Sequence, residues 1–251
     1  MLLNRQMATE DRIRCRIAAL LGILAVFAGC ASTQNAQQIE ILETVAENPR
    51  VILMPPDIKY YLVTTGGIPE PHVEWTEAAE RNFGNAIQEF AVSIGTDLTI
   101  IDRNNLGATH IKYEKLHSAV GMTILDHQFG MFKLPSKGNG EVFDWSLGPE
   151  ISALADEHDA DYALFVYYRD QQASGGRVAF AILAAAATQS VMSTGAEYGF
   201  ASLVDLRTGD IVWFNVVNAG SGELRDAEGA AMAVDQLFSN IPTNPAADKS
   251  E

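Results

Sequence analysis

Histidine side chains offer the first candidate chemistry in this sequence. His110 and His117 are seven residues apart, so on a helix both side chains would lie on one stripe. Two helical turns separate them by about 10.5 Å, which is too far for two ligands of one metal ion. His72 and His127, the latter beside Asp126, have no identifiable partner. We therefore predict solvated or half-buried histidines and no metal site.

Side chains that can bind metal also cluster between a predicted short helix and a predicted strand, namely Asp156, Glu157, His158, Asp159 and Asp161. A solvated loop is the ordinary structure at such a place, and we predict one here. The chain has no Gly-x-Ser-x-Gly nucleophile motif. The glycines in residues 174–177 and 220–222 come without the lysine of a phosphate-binding loop.

Three carboxylates, Asp57, Glu70 and Glu74, could in principle supply the acid and base of a glycosidase that acts on cell-wall glycan. Neighbouring carboxylates are frequent in an acidic chain, so we favour a surface role for them. Taken with the motifs that are missing, this predicts a protein that is not an enzyme and uses no cofactor.

The amino terminus carries the most informative pattern. Arginines at positions 12, 14 and 16 precede an apolar run, residues 17–27, and Ala28, Gly29 and Cys30 follow it. A run this much shorter than the roughly 20 residues of a membrane span is typical of an export signal. The end of the run resembles the lipobox of bacterial lipoproteins, with Phe27 where Leu, Val or Ile is more common. The resemblance implies that residues 1–29 are removed and that Cys30 is acylated.

Two alternatives for this terminus stay open, namely cleavage by the general signal peptidase after Ala31 and an uncleaved membrane anchor. In lipoproteins an aspartate after the cysteine retains the protein at the inner membrane, whereas here Ala31 follows Cys30. The resemblance therefore implies an outer-membrane lipoprotein that faces the periplasm. Cys30 would be the membrane attachment, and Cys15 would leave with the leader.

Composition limits the classes of partner. Without residues 1–29 the chain keeps 13 basic and 30 acidic side chains, a formal net charge of −17. Such a charge opposes binding to nucleic acid and to anionic lipid headgroups. A chain with no second thiol has no internal disulfide, so its core must stabilise it without one.

Hydrophobic periodicity predicts alternating strands and helices. Helices are expected at residues 75–94, 108–127, 150–157 and 224–238, and strands at 51–54, 58–64, 97–102, 161–169, 198–205 and 210–217. The first two strands could also be one bent strand, and the last two form an antiparallel hairpin. The predicted fold class is α/β (α+β), a mixed β-sheet packed by helices, with a carboxy-terminal hairpin and a closing helix. The predicted organisation is a signal peptide 1–29, a lipidated tether 30–49, one globular domain 50–241 and a disordered tail 242–251.

One segment, residues 178–187, is apolar on every side and rich in alanine. Ten residues make about 15 Å of helix, half the thickness of a bilayer core, so this segment cannot span a membrane alone. It is predicted to be a buried core helix or an interface formed by Phe180, Ile182, Leu183 and Ala184. Membrane contact is a third possibility.

Residues 162–170, 174–177 and 199–215 together resemble a family of uncharacterised bacterial envelope lipoproteins, which offers no catalytic residue to transfer. The order of elements is more distantly similar to the α/β fold of the amino-terminal domain of the Tol translocation protein, of the penicillin-binding-protein activators and of the curli-secretion lipoprotein. Residues 204–213 also resemble one blade motif of quinoprotein-like propellers, but the motif occurs once and a propeller needs several.

The sequence therefore predicts a non-enzymatic accessory or scaffold lipoprotein at the periplasmic face of the outer membrane. It would act through protein partners or self-association in envelope assembly or maintenance. A lipoprotein that binds a small molecule or glycan is the second hypothesis, and a cell-wall hydrolase is the third.

Overall fold

A computed structural model describes residues 33–37 (backbone), 49–94, 98–130, 142–189, 192–218 and 222–242, all within one compact unit. The strands are β1 Thr33–Gln37, β2 Val51–Leu53, β3 Asp57–Val63, β4 Pro69–Pro71, β5 Leu98–Ile100, β6 Tyr162–Ala173, β7 Gly195–Asp205 and β8 Ile211–Asn218. The α-helices are α1 Val73–Ser93, α2 Ala108–Ile124, α3 Ser152–His158, α4 Gly175–Thr188 and α5 Ala227–Leu237. Short 3₁₀ turns lie at Arg103–Asn105 and Pro149–Ile151, and a π-helical turn, Leu125–Phe129, extends α2.

The strands form one mixed sheet in the order β1-β8-β7-β6-β2-β5. Strands β1, β8, β7 and β6 are antiparallel neighbours, whereas β2 runs parallel to both β6 and β5. Strand β3 also runs parallel to β6. The strands predicted at residues 51–54 and 58–64 are therefore β2 and β3, which lie end to end along β6. Pro55 and Pro56 separate them, because proline cannot donate a ladder hydrogen bond.

Helices cover both faces of this sheet. Every second side chain of β6 faces α1 and α5, namely Tyr162, Leu164, Val166 and Tyr168. They form one core cluster with Phe83, Val234 and Phe238. The intervening side chains, among them Phe165 and Tyr167, face α2 and α3 and form a second cluster with Phe200 and Phe214. The predicted fold class, a mixed sheet packed by helices, is confirmed, and so is the antiparallel β7–β8 hairpin.

Helix α2 presents a different face to the core from the one its apolar residues indicate. Its buried residues are His110, Tyr113, His117, Gly121 and Ile124, whereas Ile111 is exposed. The prediction of solvated or half-buried histidines is therefore wrong for His110 and His117, which are 1% and 2% exposed. Sequence periodicity failed here because a histidine that finds a hydrogen-bond partner can replace an apolar residue in a core.

Helix α4 connects β6 to β7 and closes the end of a long hairpin, in which Gln172 pairs with Gly195. Ser174 caps the helix by accepting a hydrogen bond from the Arg177 amide, and Gln189 ends it in a left-handed conformation. Only Ala181 of this helix is buried. The prediction of a buried core helix at residues 178–187 is therefore wrong.

Several predictions concern residues outside the described ranges. The signal peptide, Cys30, Ala31 and the tail from residue 243 belong to this group. Within the predicted tether, the backbone of Thr33–Gln37 forms edge strand β1 beside β8. Among the described residues, no helix is both long and apolar enough to cross a bilayer.

Candidate functional site

Exposed apolar side chains concentrate at one end of the sheet. On α4, Phe180, Ile182 and Leu183 are 48%, 64% and 69% exposed, and Val178 is also exposed. Ile68, in the turn between β3 and β4, is 65% exposed. This turn adjoins the start of α4, because a Cβ added to Gly67 or Gly176 would contact Arg177 or Thr65 respectively. We call the five residues Ile68, Val178, Phe180, Ile182 and Leu183 the apolar end.

The predicted interface residues fall on this surface with one exception. Phe180, Ile182 and Leu183 are exposed, whereas Ala184 is only half-buried. Isolated exposed apolar residues are normal on a protein surface, but five of the ten exposed large apolar residues in the described ranges lie at this end, and such a concentration indicates an interaction site. The apolar end is therefore the first candidate functional surface.

A polar cluster lies on the α1 and α5 side of the same sheet end, with Glu223 at its centre. Glu223 accepts hydrogen bonds from Tyr60 Oη at 3.0 Å and from Gln172 Nε2 at 3.1 Å. Arg225 donates to both of its oxygens and also lies over the Trp75 ring, 4.4 Å from the ring centre. Burial alone would raise the pKa of Glu223, but the hydrogen bonds from Arg225 and Gln172 outweigh burial and lower it to about 2.

A second carboxyl group in this cluster has the opposite pKa shift. Burial raises the pKa of Asp170 to about 6, although the hydrogen bond from Gln172 opposes the shift. Asp170 lines a pocket of about 420 Å³ together with Gln172, Val178 and Glu197. Glu197 accepts a hydrogen bond from Tyr168 Oη at 2.7 Å. The pocket thus contains a carboxyl group that titrates near neutral pH, which is a feature found at binding and catalytic sites.

We expect Tyr60→Phe to lower the free energy of unfolding by about 1–3 kcal/mol at pH 7, because Glu223 loses a charged hydrogen bond inside the cluster. Urea unfolding followed by circular dichroism measures the change. Tyr61→Phe, on the alternate side of β3, is the matched control and should change stability by less than half as much. Equal effects of the two variants would show that the Glu223 contact contributes nothing.

His117 lies within the second core cluster. Its ring stacks on Phe165 with the centres 4.8 Å apart, and lies 5.3 Å from the ring centre of Phe200. Its Nε2 forms a hydrogen bond with Oγ of the buried Ser202. Burial lowers the pKa of His117 to about 3, against a smaller opposing effect of the Asp57 carboxylate. His117 is therefore a neutral core residue at physiological pH.

His110 contacts His158, a pairing that the sequence did not indicate. Their Nε2 atoms are 2.7 Å apart, and Glu157 Oε1 lies 3.9 Å from Nε2 of His110. Potential ligand atoms of the three residues all lie within 4.8 Å of one another, and two histidines with one glutamate form a known zinc donor set. Because the two histidines are 48 residues apart, no local motif could have revealed this group.

The protonation of His110 does not fit a metal ligand. The Gly107 amide donates to Nδ1 of His110 at 3.2 Å, so neutral His110 carries its proton on Nε2 and donates it to His158. A metal-bound histidine has the reverse arrangement, with a free lone pair toward the metal and a proton on its other nitrogen. Burial and the neighbouring His110 lower the pKa of His158, against the opposing charge of Glu157. The contact is a hydrogen bond that joins the start of α2 to the end of α3.

The remaining predicted residues do not converge on one site. Asp57 accepts a hydrogen bond from Arg169 at 2.8 Å in a largely buried ion pair. Glu70 is exposed on β4, and Glu74 lies 3.3 Å from Nδ1 of His72, whose ring stacks on Trp75. His127 lies in the π-helical turn after α2. Asp156 and Asp159 are exposed, while Asp161 accepts a hydrogen bond from the Arg50 amide.

Of three comparisons with known proteins, only the comparison with solved structures found similar chains. No protein-family model matches the chain, and no curated protein sequence matches it. The chain is similar to the PelC dodecamer from Paraburkholderia phytofirmans, with 11% identity, a TM-score of 0.39 and coverage of 84% of this chain and 99% of that one. It is similar to the lipoprotein GNA1162 from Neisseria meningitidis, with 11% identity, a TM-score of 0.26 and coverage of 67% and 77%.

The LpoB carboxy-terminal domain from Salmonella enterica is also similar, with 11% identity, a TM-score of 0.26 and coverage of 70% of this chain and 86% of that one. At these TM-scores the similarity carries no argument about a site or an activity.

Proposed function

We propose that this chain is a lipoprotein at the periplasmic face of the outer membrane, and that it acts without catalysis as an accessory or scaffold through protein contacts. The observation that carries the proposal is the position of β1. This strand begins at Thr33, three residues after Cys30, and pairs along its whole length with β8. Acyl chains on Cys30 would therefore attach almost directly to the central sheet, which suits a protein that presents partners at the membrane surface.

The ionisable groups of the described residues support a structural role for most of the polar sites. Glu223 is engaged by Tyr60, Gln172 and Arg225, and Asp57 is paired with Arg169. Groups that hold each other in this way brace the fold, because breaking a buried ion pair leaves an uncompensated charge. Because these groups are engaged within the fold, we expect other molecules to bind elsewhere on the surface of the domain.

Affinity capture and crosslinking from intact envelopes test this function. We expect specific protein partners with the wild-type chain and their loss with Cys30→Ser, together with acylation at Cys30 in the mass spectrum of the wild-type protein. An unacylated amino terminus, or identical partners for the anchored and unanchored proteins, would contradict the proposal.

The short connection between Cys30 and β1 gives a second test. A flexible insertion of twenty Gly and Ser residues after Ala31 should leave acylation intact but allow the domain to move about 25 Å from the membrane. We expect this insertion to reduce partner capture several-fold. The same insertion after Pro242, beyond α5, is the matched control and should leave capture unchanged.

The pocket at Asp170 favours a second candidate function, binding of a small molecule or glycan. Its volume of about 420 Å³ falls within the range of small-molecule sites, and its carboxyl groups could accept hydrogen bonds from sugar hydroxyls. Calorimetric titration with soluble cell-wall oligosaccharides would detect such binding. Asp170→Asn should weaken it at least tenfold, and no heat at millimolar ligand would exclude this candidate.

A further inference from the structure

We infer that the apolar end of the sheet rests on the lipid surface into which the acyl chains of Cys30 insert. This inference builds on the proposed lipid anchor and assigns the lipid bilayer as the partner of Ile68, Val178, Phe180, Ile182 and Leu183. It would fix the orientation of the domain on the membrane.

The strand register places the start of β1 and helix α4 at the same end of the sheet. Thr33 pairs with Val217, Val217 pairs with Gly199, and Gly199 pairs with Tyr168. From that level β6 continues by five residues and β7 by four, toward α4. At about 3.4 Å per residue, the β6–β7 hairpin extends about 14–17 Å beyond Thr33.

The chain before β1 can cover most of this distance. Cys30 is three positions before Thr33, and an extended chain covers about 10 Å over three residues. Strand β1 is two strand spacings, about 10 Å, from β7 across the sheet. Acyl chains that leave Cys30 therefore enter a bilayer whose surface lies within reach of α4.

The distribution of exposed apolar side chains agrees with a membrane-facing end. Ten large hydrophobic residues are exposed among the described residues, and five of them form the apolar end. The other five, Val73, Val92, Ile111, Val142 and Met232, lie on other elements. Transfer of Phe, Ile and Leu side chains from water to the boundary between headgroups and acyl chains is favourable.

The charge at the apolar end is much smaller than the net charge of the whole chain. The net charge of −17 predicted repulsion from anionic headgroups, but residues 174–196 contain one charged side chain, the basic Arg177. The acidic groups at this end are Glu70, two residues from Ile68, and Asp170 and Glu197, which line the pocket beside Val178. Interactions between exposed charges are screened beyond about 8 Å at physiological salt, so these few groups, and not the net charge, set the electrostatic part of the contact. The acidic residues elsewhere then favour an orientation in which the rest of the domain points away from the membrane.

A fluorescent probe at Leu183 tests this contact in the acylated protein. The mature chain has no cysteine other than Cys30, whose thiol is blocked by acylation, so Leu183→Cys can be labelled alone. The labelled protein is reconstituted in vesicles of phosphatidylethanolamine and phosphatidylglycerol. We expect a blue-shifted emission and at least twofold quenching by doxyl-labelled lipids. Val92→Cys on α1, where the native residue is 81% exposed, is the matched control and should remain in water.

The possible outcomes separate this inference from the proposed function. Acylated protein whose probe at position 183 remains in water, or is shielded without quenching by lipid, would overturn the lipid contact and leave the anchor intact. If the probe is shielded and the protein in detergent elutes later from a size-exclusion column after dilution, the surface would instead be assigned to a second copy of the chain. An amino terminus without acylation at Cys30 would overturn the anchor as well as the contact.

Discussion

Acidification should destabilise this protein mainly through His117. Its pKa is about 3 in the folded state because of burial, and close to 6.5 in an unfolded chain. Above pH 6.5 neither state binds the proton, so the stability is complete. As the pH falls below 6.5 the unfolded state binds the proton and the folded state does not, and each pH unit then lowers the free energy of unfolding by roughly 1 kcal/mol.

Other titrating groups change the total pH dependence, so the contribution of His117 is best isolated with a variant. The lowered pKa of His158 acts in the same direction. The raised pKa of Asp170 acts in the opposite direction, because its stability contribution grows as the pH falls from about 6 toward 3.8.

The double variant His117→Phe with Ser202→Ala removes both partners of the buried hydrogen bond and keeps an aromatic ring between Phe165 and Phe200. Such a replacement costs little when the shape is preserved, so we expect stability within about 1 kcal/mol of the wild type at pH 8. Urea unfolding from pH 8 to pH 4.5 should then show a shallower decline, with the variant gaining roughly 2–3 kcal/mol on the wild type at pH 4.5. Parallel curves for the two proteins would contradict a neutral, buried His117.

The regular elements of the fold could be predicted from periodicity, and their exceptions have physical causes. The helix predicted at residues 75–94 is α1, since Phe83 and Ile87 are spaced for one buried face. Helix α2 was predicted with nearly the right bounds but with the wrong inward face. Its core positions include two histidines and Gly121, which hydropathy does not mark as buried. Strand β1 has a polar sequence and is recognised by its pairing with β8 alone.

The candidate surface shows the same limit of sequence reasoning. The apolar run at residues 178–187 fits a core helix as well as an exposed one, because hydropathy does not tell whether the side chains face the protein core, a partner or a membrane. Its exposure follows from topology, since α4 closes the projecting end of the β6–β7 hairpin and packs on little else. Net charge does not describe this segment either, because it averages over residues 174–196, which have one basic and no acidic side chain. The placement of the start of β1 and of α4 at one end of the sheet depends on strand register, which no single segment encodes.

Substituting alanine at Gly121 and Gly84 should have opposite effects, although both glycines lie inside helices. By helix propensity each change would stabilise the protein by about 0.5–1 kcal/mol. At Gly121 of α2, however, a Cβ would overlap three ring carbons of Phe200, the farthest at 2.8 Å.

The Phe200 ring cannot move aside, because it stacks on Tyr167 and Phe214 with centre distances of 4.8 and 5.4 Å. We therefore expect Gly121→Ala to lower the free energy of unfolding by about 1–3 kcal/mol and Gly84→Ala, whose Cβ would meet nothing within 4 Å, to raise it. Thermal unfolding measures both as Tm shifts of opposite sign. Adding Phe200→Leu to Gly121→Ala should cost less than the sum of the two single changes, because the smaller side chain makes room for the Cβ. Stabilisation by Gly121→Ala would show that α2 does not rest on the sheet at Phe200, and strictly additive effects would show that the clash is not the cause.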